Sequence, residues 1–151
     1  LQNITTCTQK AITMKRILST ALVAFMLISP SFALDGKTLG HLISIPVIEG
    51  TGIYSSVRLL QTGTANGTAA AITNFSLIGI NAGIGAYTLF GKPADYEKWR
   101  MAHRVAGMFT SAAAIWLAIS AGVNDDVARL DKGVAAGYSV LAVVPVVLFS
   151  F

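Results

Sequence analysis

The chain is predicted to be all-α: an integral membrane, up-down four-helix bundle preceded by a signal peptide. Three observations predict this. Hydrophobic residues make up 54% of the 151 residues and charged ones 12%, about half the charge of an ordinary soluble domain, and the mean hydropathy is +0.65. The apolar residues fall into four stretches of roughly 20 residues, enough to cross a hydrocarbon core of ~30 Å. Between the stretches lie turn-forming and charged residues, with no segment long enough for a soluble domain.

Taken in order, residues 1–13 are polar and unpatterned and read as an upstream or disordered segment. At Met14 the pattern changes. Lys15 and Arg16 form a basic region, Ile17 to Ile28 an apolar one, and Ser31-Phe32-Ala33 a small-x-small cleavage site, so residues 14–33 read as a secretory signal peptide. The alternative is an uncleaved membrane helix, against which stand Pro30 and the shortness of the run. Cys7 is the only cysteine and precedes this segment, so the mature chain is expected to hold no disulfide, thiolate metal site or cysteine nucleophile.

Residues 34–151 form the expected transmembrane domain, with spans near 38–60, 69–90, 100–122 and 133–151. Its connections are Gln61 to Thr68, Gly91-Lys92-Pro93-Ala94-Asp95, and Asn124-Asp125-Asp126 up to Lys132. With the signal removed, the mature N-terminus lies outside a bacterial-type inner (cytoplasmic) membrane, as does the C-terminus. Charge opposes this orientation. The inner loops then carry Arg58, Arg129 and Lys132, while the outer side carries Lys37, Lys92, Lys98, Arg100 and Arg104, against the positive-inside rule. Either the signal overrides a weak bias or an acidic group holds the outer cations; haem propionates are such acids.

His41 and His103 are the only histidines, each three residues inside a polar boundary, at Thr38 and Arg100. They begin the first and third spans, which run parallel and lie diagonally in an up-down bundle, so both rings share one depth. Diagonal helices leave more room than the 8–10 Å between neighbours. Two facing imidazoles at matched depth suit a bis-histidine haem b. Small residues continue the His103 face through Gly107, Thr110, Ala114 and Ala121, a floor for a flat macrocycle or simply a close helix contact. Gly79-x-x-x-Gly83 and Gly133-x-x-x-Gly137 read as helix-packing motifs. The plainer reading of the histidines needs no iron: an interfacial ring turned to headgroups, or a hydrogen bond to a neighbouring helix.

The segment Trp99-Arg100-Met101-Ala102-His103-Arg104-Val105-Ala106-Gly107 resembles the ligand-bearing helix of small four-helix b-type membrane cytochromes, in which an aromatic or Arg precedes the ligand histidine and a glycine follows it by a turn. The resemblance reaches the first span only through Gly40-His41. Larger members of that class carry four histidines and two haems, whereas this chain has two histidines. It implies His41 and His103 as axial ligands of one haem b, with Lys37, Arg100 or Arg104 pairing with propionates. Bis-histidine ligation leaves no open position for oxygen chemistry, so the implied work is electron transfer.

Glu49 falls on the His41 face, about 12 Å deeper. A carboxylate near mid-membrane costs on the order of 2.5–3.5 kcal/mol on insertion scales, which makes it a functional candidate. Asn74, Asn81, Gly85 and Thr88 line one face of the second span, and Asn81 lies at a depth where it could hydrogen-bond Glu49. Glu49 then takes up a proton on haem reduction, holds a quinone headgroup, or only joins two helices. With no second acid to extend a relay, a pump is not expected. Asp125, Asp126 and Asp131 read as loop and cap residues rather than a metal site.

The expected function is membrane electron transfer through one haem b near the outer face, as a small redox protein or an electron-transfer subunit of an oxidoreductase. Its expected partners are lipid, a membrane-protein partner or a second copy, and a quinone or periplasmic electron carrier. Nucleic acid is excluded because the eleven cations are scattered at helix ends. Two rivals stand beside it: a cofactor-free packing or assembly subunit of a membrane complex, and a membrane solute-binding protein centred on Glu49, Asn74 and Asn81.

Overall fold

Each expected apolar stretch is helical in the structure, a computed structural model that describes the backbone of residues 36–149 and the side chains of residues 39–147. The helices are α1 Gly36–Leu60, α2 Ala65–Phe90, α3 Tyr96–Gly122 and α4 Arg129–Phe149. The segment 1–13, the signal peptide 14–33 and the Lys37 side chain lie outside the described residues. Leu60, Phe90 and Gly122 end their helices where the sequence ends its spans, but α2, α3 and α4 begin a few residues earlier. Polar first turns such as Ala65-Asn66-Gly67-Thr68 and Tyr96-Glu97-Lys98-Trp99 are helical too, because satisfying backbone groups does not require apolar side chains.

Three of the helices, α2, α3 and residues Arg129–Val147 of α4, are long and apolar enough to cross a membrane. The first expected span, α1, forms a helix of 25 residues but, over its described residues, is not among those three. His41, Pro46 and Glu49, with the polar run Gly50-Thr51-Gly52, dilute its apolar character. Pro46 also removes one backbone donor from the helix interior.

The turns are built from local chemistry. Gly63 has φ +66, a left-handed conformation that glycine adopts without penalty, and closes α1 through its N–H to the Leu60 carbonyl at 3.1 Å. Thr64 caps α2, accepting from the Gly67 N–H at 3.3 Å. The next turn places Lys92 at φ 48 just before Pro93. Asn124 organises the third connection: its Oδ1 accepts from the Asp126 N–H at 3.0 Å, and its Nδ2 donates to Thr62 Oγ1 at 3.1 Å and Thr64 Oγ1 at 3.2 Å. The α1–α2 and α3–α4 connections therefore lie together.

Helix α3 packs against both α2 and α4. Asn66 donates to Ser120 Oγ at 3.0 Å and Thr110 to the Leu77 carbonyl at 3.3 Å, pairing early α2 with late α3, so these two helices run antiparallel. Ser111 donates to the Ala142 carbonyl at 2.8 Å. Helix α1 is held by Arg58, whose Nε meets Asp131 of α4 at 2.8 Å, with Tyr54 donating to the same carboxylate at 2.7 Å. Deeper, Tyr138 donates to Asn74 Oδ1 and Asn74 to Ser56 Oγ, both at 3.0 Å. Such bonds join helices where apolar side chains gain nothing over lipid.

The buried core is made of small residues and a few large ones: Ala70, Ala71, Ile78, Ala114, Leu117, Ala121, Ala135 and Ala142 around Leu59 and Tyr138. It occupies the half of the helices nearest the α1–α2 and α3–α4 connections. Outward, Ile43, Val47, Ile72, Phe75, Ile80, Phe109, Ile119 and Val140 are exposed, an apolar exterior suited to lipid rather than water.

Candidate functional site

The half of the helices away from that core carries the histidines. His41 lies near the start of α1, where Ser44 donates to the His41 carbonyl at 2.9 Å. His103 comes from the second turn of α3. Both are half-buried, and their ring centroids stand 5.9 Å apart with planes at 77°. Two imidazole nitrogens on one metal, each about 2 Å from it, put the ring centres roughly 6 Å apart. The spacing is that of a donor pair able to share a metal.

Helix α2 backs the pair. A Cβ at Gly85 would lie 2.8 Å from Cε1 and 3.2 Å from Nδ1 of His103, so the ring packs onto bare α2 backbone. One turn earlier on α2, Asn81 Oδ1 lies 3.9 Å from a Cβ placed at Gly107, which sits one turn beyond His103 on α3. Two polar side chains thus each rest on a glycine of the opposite helix. Asn81 Oδ1 and His103 Nδ1 are both buried without a hydrogen-bond partner. That is costly in a protein interior and marks a place where a further group or a small rearrangement belongs.

The other expected site residues are placed as follows. Gly107 faces Val146, 3.6 Å from its Cβ position, as well as Asn81. Arg100 pairs with Glu97 at 3.4 Å and both are exposed; Arg104 is exposed beside His103. Glu49 is half-buried on α1 and makes no ion pair among the described residues. The side chain that crosses from α2 to α1 is Asn74, through Ser56, whereas Asn81 Oδ1 stays unpartnered. The structure thus brings His41, His103, Asn81 and Gly107 to one place and separates Asn74 from them.

Sequence reasoning missed Gly85 at this site, and Tyr138 and Ser56 in the separate network around Asn74. Gly85 stood on the Asn81 face but was not linked to His103. Tyr138 and Ser56 form the buried network with Asn74, and the available signal was a lone tyrosine within an apolar helix. The donor set at the site is two imidazoles from different helices, 5.9 Å apart between ring centroids, one with a buried nitrogen that lacks a hydrogen-bond partner. Among the described residues no group of three or more His, Cys, Asp or Glu gathers as a metal site.

Fold and surface together define a multi-pass helical membrane protein. No protein-family model, curated protein or solved structure matches the chain.

Proposed function

We propose that this protein transfers electrons within a membrane through one haem b ligated by His41 and His103. In this reading the chain is an up-down four-helix bundle in a bacterial-type inner membrane. Its signal peptide, Met14 to Ala33, is removed, leaving the mature N-terminus and the haem at the outer face. The observation that carries the reading is the meeting of the only two histidines, far apart in sequence, at 5.9 Å.

Bound haem supplies a reversible one-electron change at iron, and ligation by two imidazoles leaves no open coordination position. The chain's own residues hold and orient. His41 and His103 would provide the ligating nitrogens, and Gly85 lets the His103 ring seat against α2. Arg104 and Arg100 would supply cations for the propionates. A quinol or a periplasmic carrier is the redox partner.

The test is a reduced-minus-oxidised visible spectrum of the purified protein from haem-replete cells. A low-spin b-type spectrum is expected, lost in both His41→Ala and His103→Ala. A folded but colourless protein would overturn the reading. The packing-subunit alternative has its own support, since a Cβ at Gly79, Gly83, Gly133 or Gly137 meets nothing within 4 Å. Among the described residues those small-residue faces are unused. On that account Gly79→Leu disrupts assembly, while both histidines are dispensable.

A further inference from the structure

We propose that Asn81 is a positioning residue for His103, its amide oxygen accepting a hydrogen bond from the ring Nδ1–H so that Nε2 is the nitrogen presented for ligation. The electron-transfer consequence rests on the haem reading above; the hydrogen bond itself does not.

Two shielded atoms lack hydrogen-bond partners among the described residues, Asn81 Oδ1 and His103 Nδ1. They are chemically complementary. An amide oxygen can only accept, and a neutral imidazole nitrogen carrying the proton can only donate. They also lie within one patch of the α2–α3 contact. Asn81 and Gly85 are one turn apart on α2, and His103 and Gly107 are one turn apart on α3. His103 rests on Gly85 while Asn81 Oδ1 rests near Gly107, so the contact runs diagonally across a four-residue square.

Glycine at positions 85 and 107 lets the ring and the amide lie against the opposing helix, so rotation about side-chain bonds is the movement that would join the two atoms. The alternative leaves two buried polar groups unsatisfied, at about 1–3 kcal/mol each. Of the neighbouring side chains on α3 and α4, Val146 is apolar and Thr110 is committed to the Ala106 and Leu77 carbonyls.

A ligating histidine generally donates its second ring N–H to a neighbouring oxygen, which fixes the tautomer and makes the ligating nitrogen more basic. A more basic ligand favours the oxidised iron. Asn81 therefore sets both which nitrogen of His103 is offered and how strongly it donates.

The experiment uses protein labelled with nitrogen-15 at histidine, as purified and chemically reduced. With only two histidines, His41→Gln assigns the signals. The expected result is His103 protonated at Nδ1 in the native chain and in Asn81→Asp, which keeps an acceptor. In Asn81→Leu the Nδ1–H signal is expected to exchange with water or yield to the other tautomer. Asn81→Ala gives the same reading should the leucine variant not fold. In haem-loaded protein the midpoint potential is expected to rise in Asn81→Leu and fall in Asn81→Asp. A native His103 protonated at Nε2, or His103 ring signals and potential unchanged in Asn81→Leu, would overturn the proposal. A colourless protein with Nδ1–H intact would remove the haem reading and leave this one standing.

Discussion

At Gly52 the smallest side chain is required by a single neighbour. An added methyl group would overlap the Tyr138 ring, whose Cε2 lies 2.6 Å and hydroxyl oxygen 2.7 Å from the Cβ position. Tyr138 is 1% exposed and is tied to Asn74, so it has no room to retreat. Gly52→Ala is expected to lower the unfolding free energy by about 1–3 kcal/mol, the usual penalty for overpacking a filled site. Tyr138→Phe keeps the shape and removes only the hydrogen bond, and is expected to cost about 0.6–1.7 kcal/mol, the range for polar contacts between membrane helices. Reversible denaturation in mixed micelles measures both, and a larger loss for Tyr138→Phe than for Gly52→Ala would contradict this packing.

Among the elements, the turns offer opposite experiments. Gly63 holds φ +66 and Lys92 holds φ 48, both left-handed, but only the first position has a glycine. Gly63→Ala is expected to destabilise and Lys92→Gly to stabilise, each by about 1 kcal/mol, read as shifts of the thermal midpoint in opposite directions. Helix α1 tests another property. It carries Glu49 and Pro46 and is the helix not apolar enough to count as a span on composition. In an insertion assay α1 alone is expected to enter the membrane less efficiently than α2, and Glu49→Leu to restore much of the difference. Equal insertion of native α1 and α2 would show that the glutamate is no burden there. Retention of such a residue by a helix joined to α4 through Arg58 and Asp131 implies that α1 is stabilised by its partners as much as by lipid.

For the molecule as a whole, the core and the histidine pair occupy different halves of the helices. Leu59, Leu117 and Tyr138 are each 1% exposed or less, whereas both histidines are half-buried. Losing a histidine should therefore change the site and spare the scaffold. His41→Ala and His103→Ala are expected to keep the native helical circular dichroism and a cooperative unfolding transition. Asp131→Asn, which weakens the clamp between α1 and α4, is expected to lower the unfolding midpoint while leaving the visible spectrum intact. A collapse of helical content in the histidine variants would mean that the pair supports the fold itself.

Composition and apolar stretch length were enough to determine that the chain is all-helical and built for a membrane, since burial in hydrocarbon leaves helices as the economical way to satisfy a backbone. They also placed the helix ends at Leu60, Phe90 and Gly122, where glycine, proline and charge interrupt the apolar runs, and they singled out His41 and His103 as the rarest chemistry in the chain. Depth along a helix follows from counting residues at a constant rise, so the matched level of the two rings was legible. Which side chains share a contact was not. Asn74 and Asn81 look equivalent along one face of α2, yet the tertiary structure gives Asn74 to Ser56 and Tyr138 and leaves Asn81 Oδ1 without a partner near Gly107. Gly85 became the seat of a histidine and Gly107 the neighbour of an amide. Those choices depend on how far one helix slides and turns against another, a property of the packed pair that neither helix carries in its own sequence.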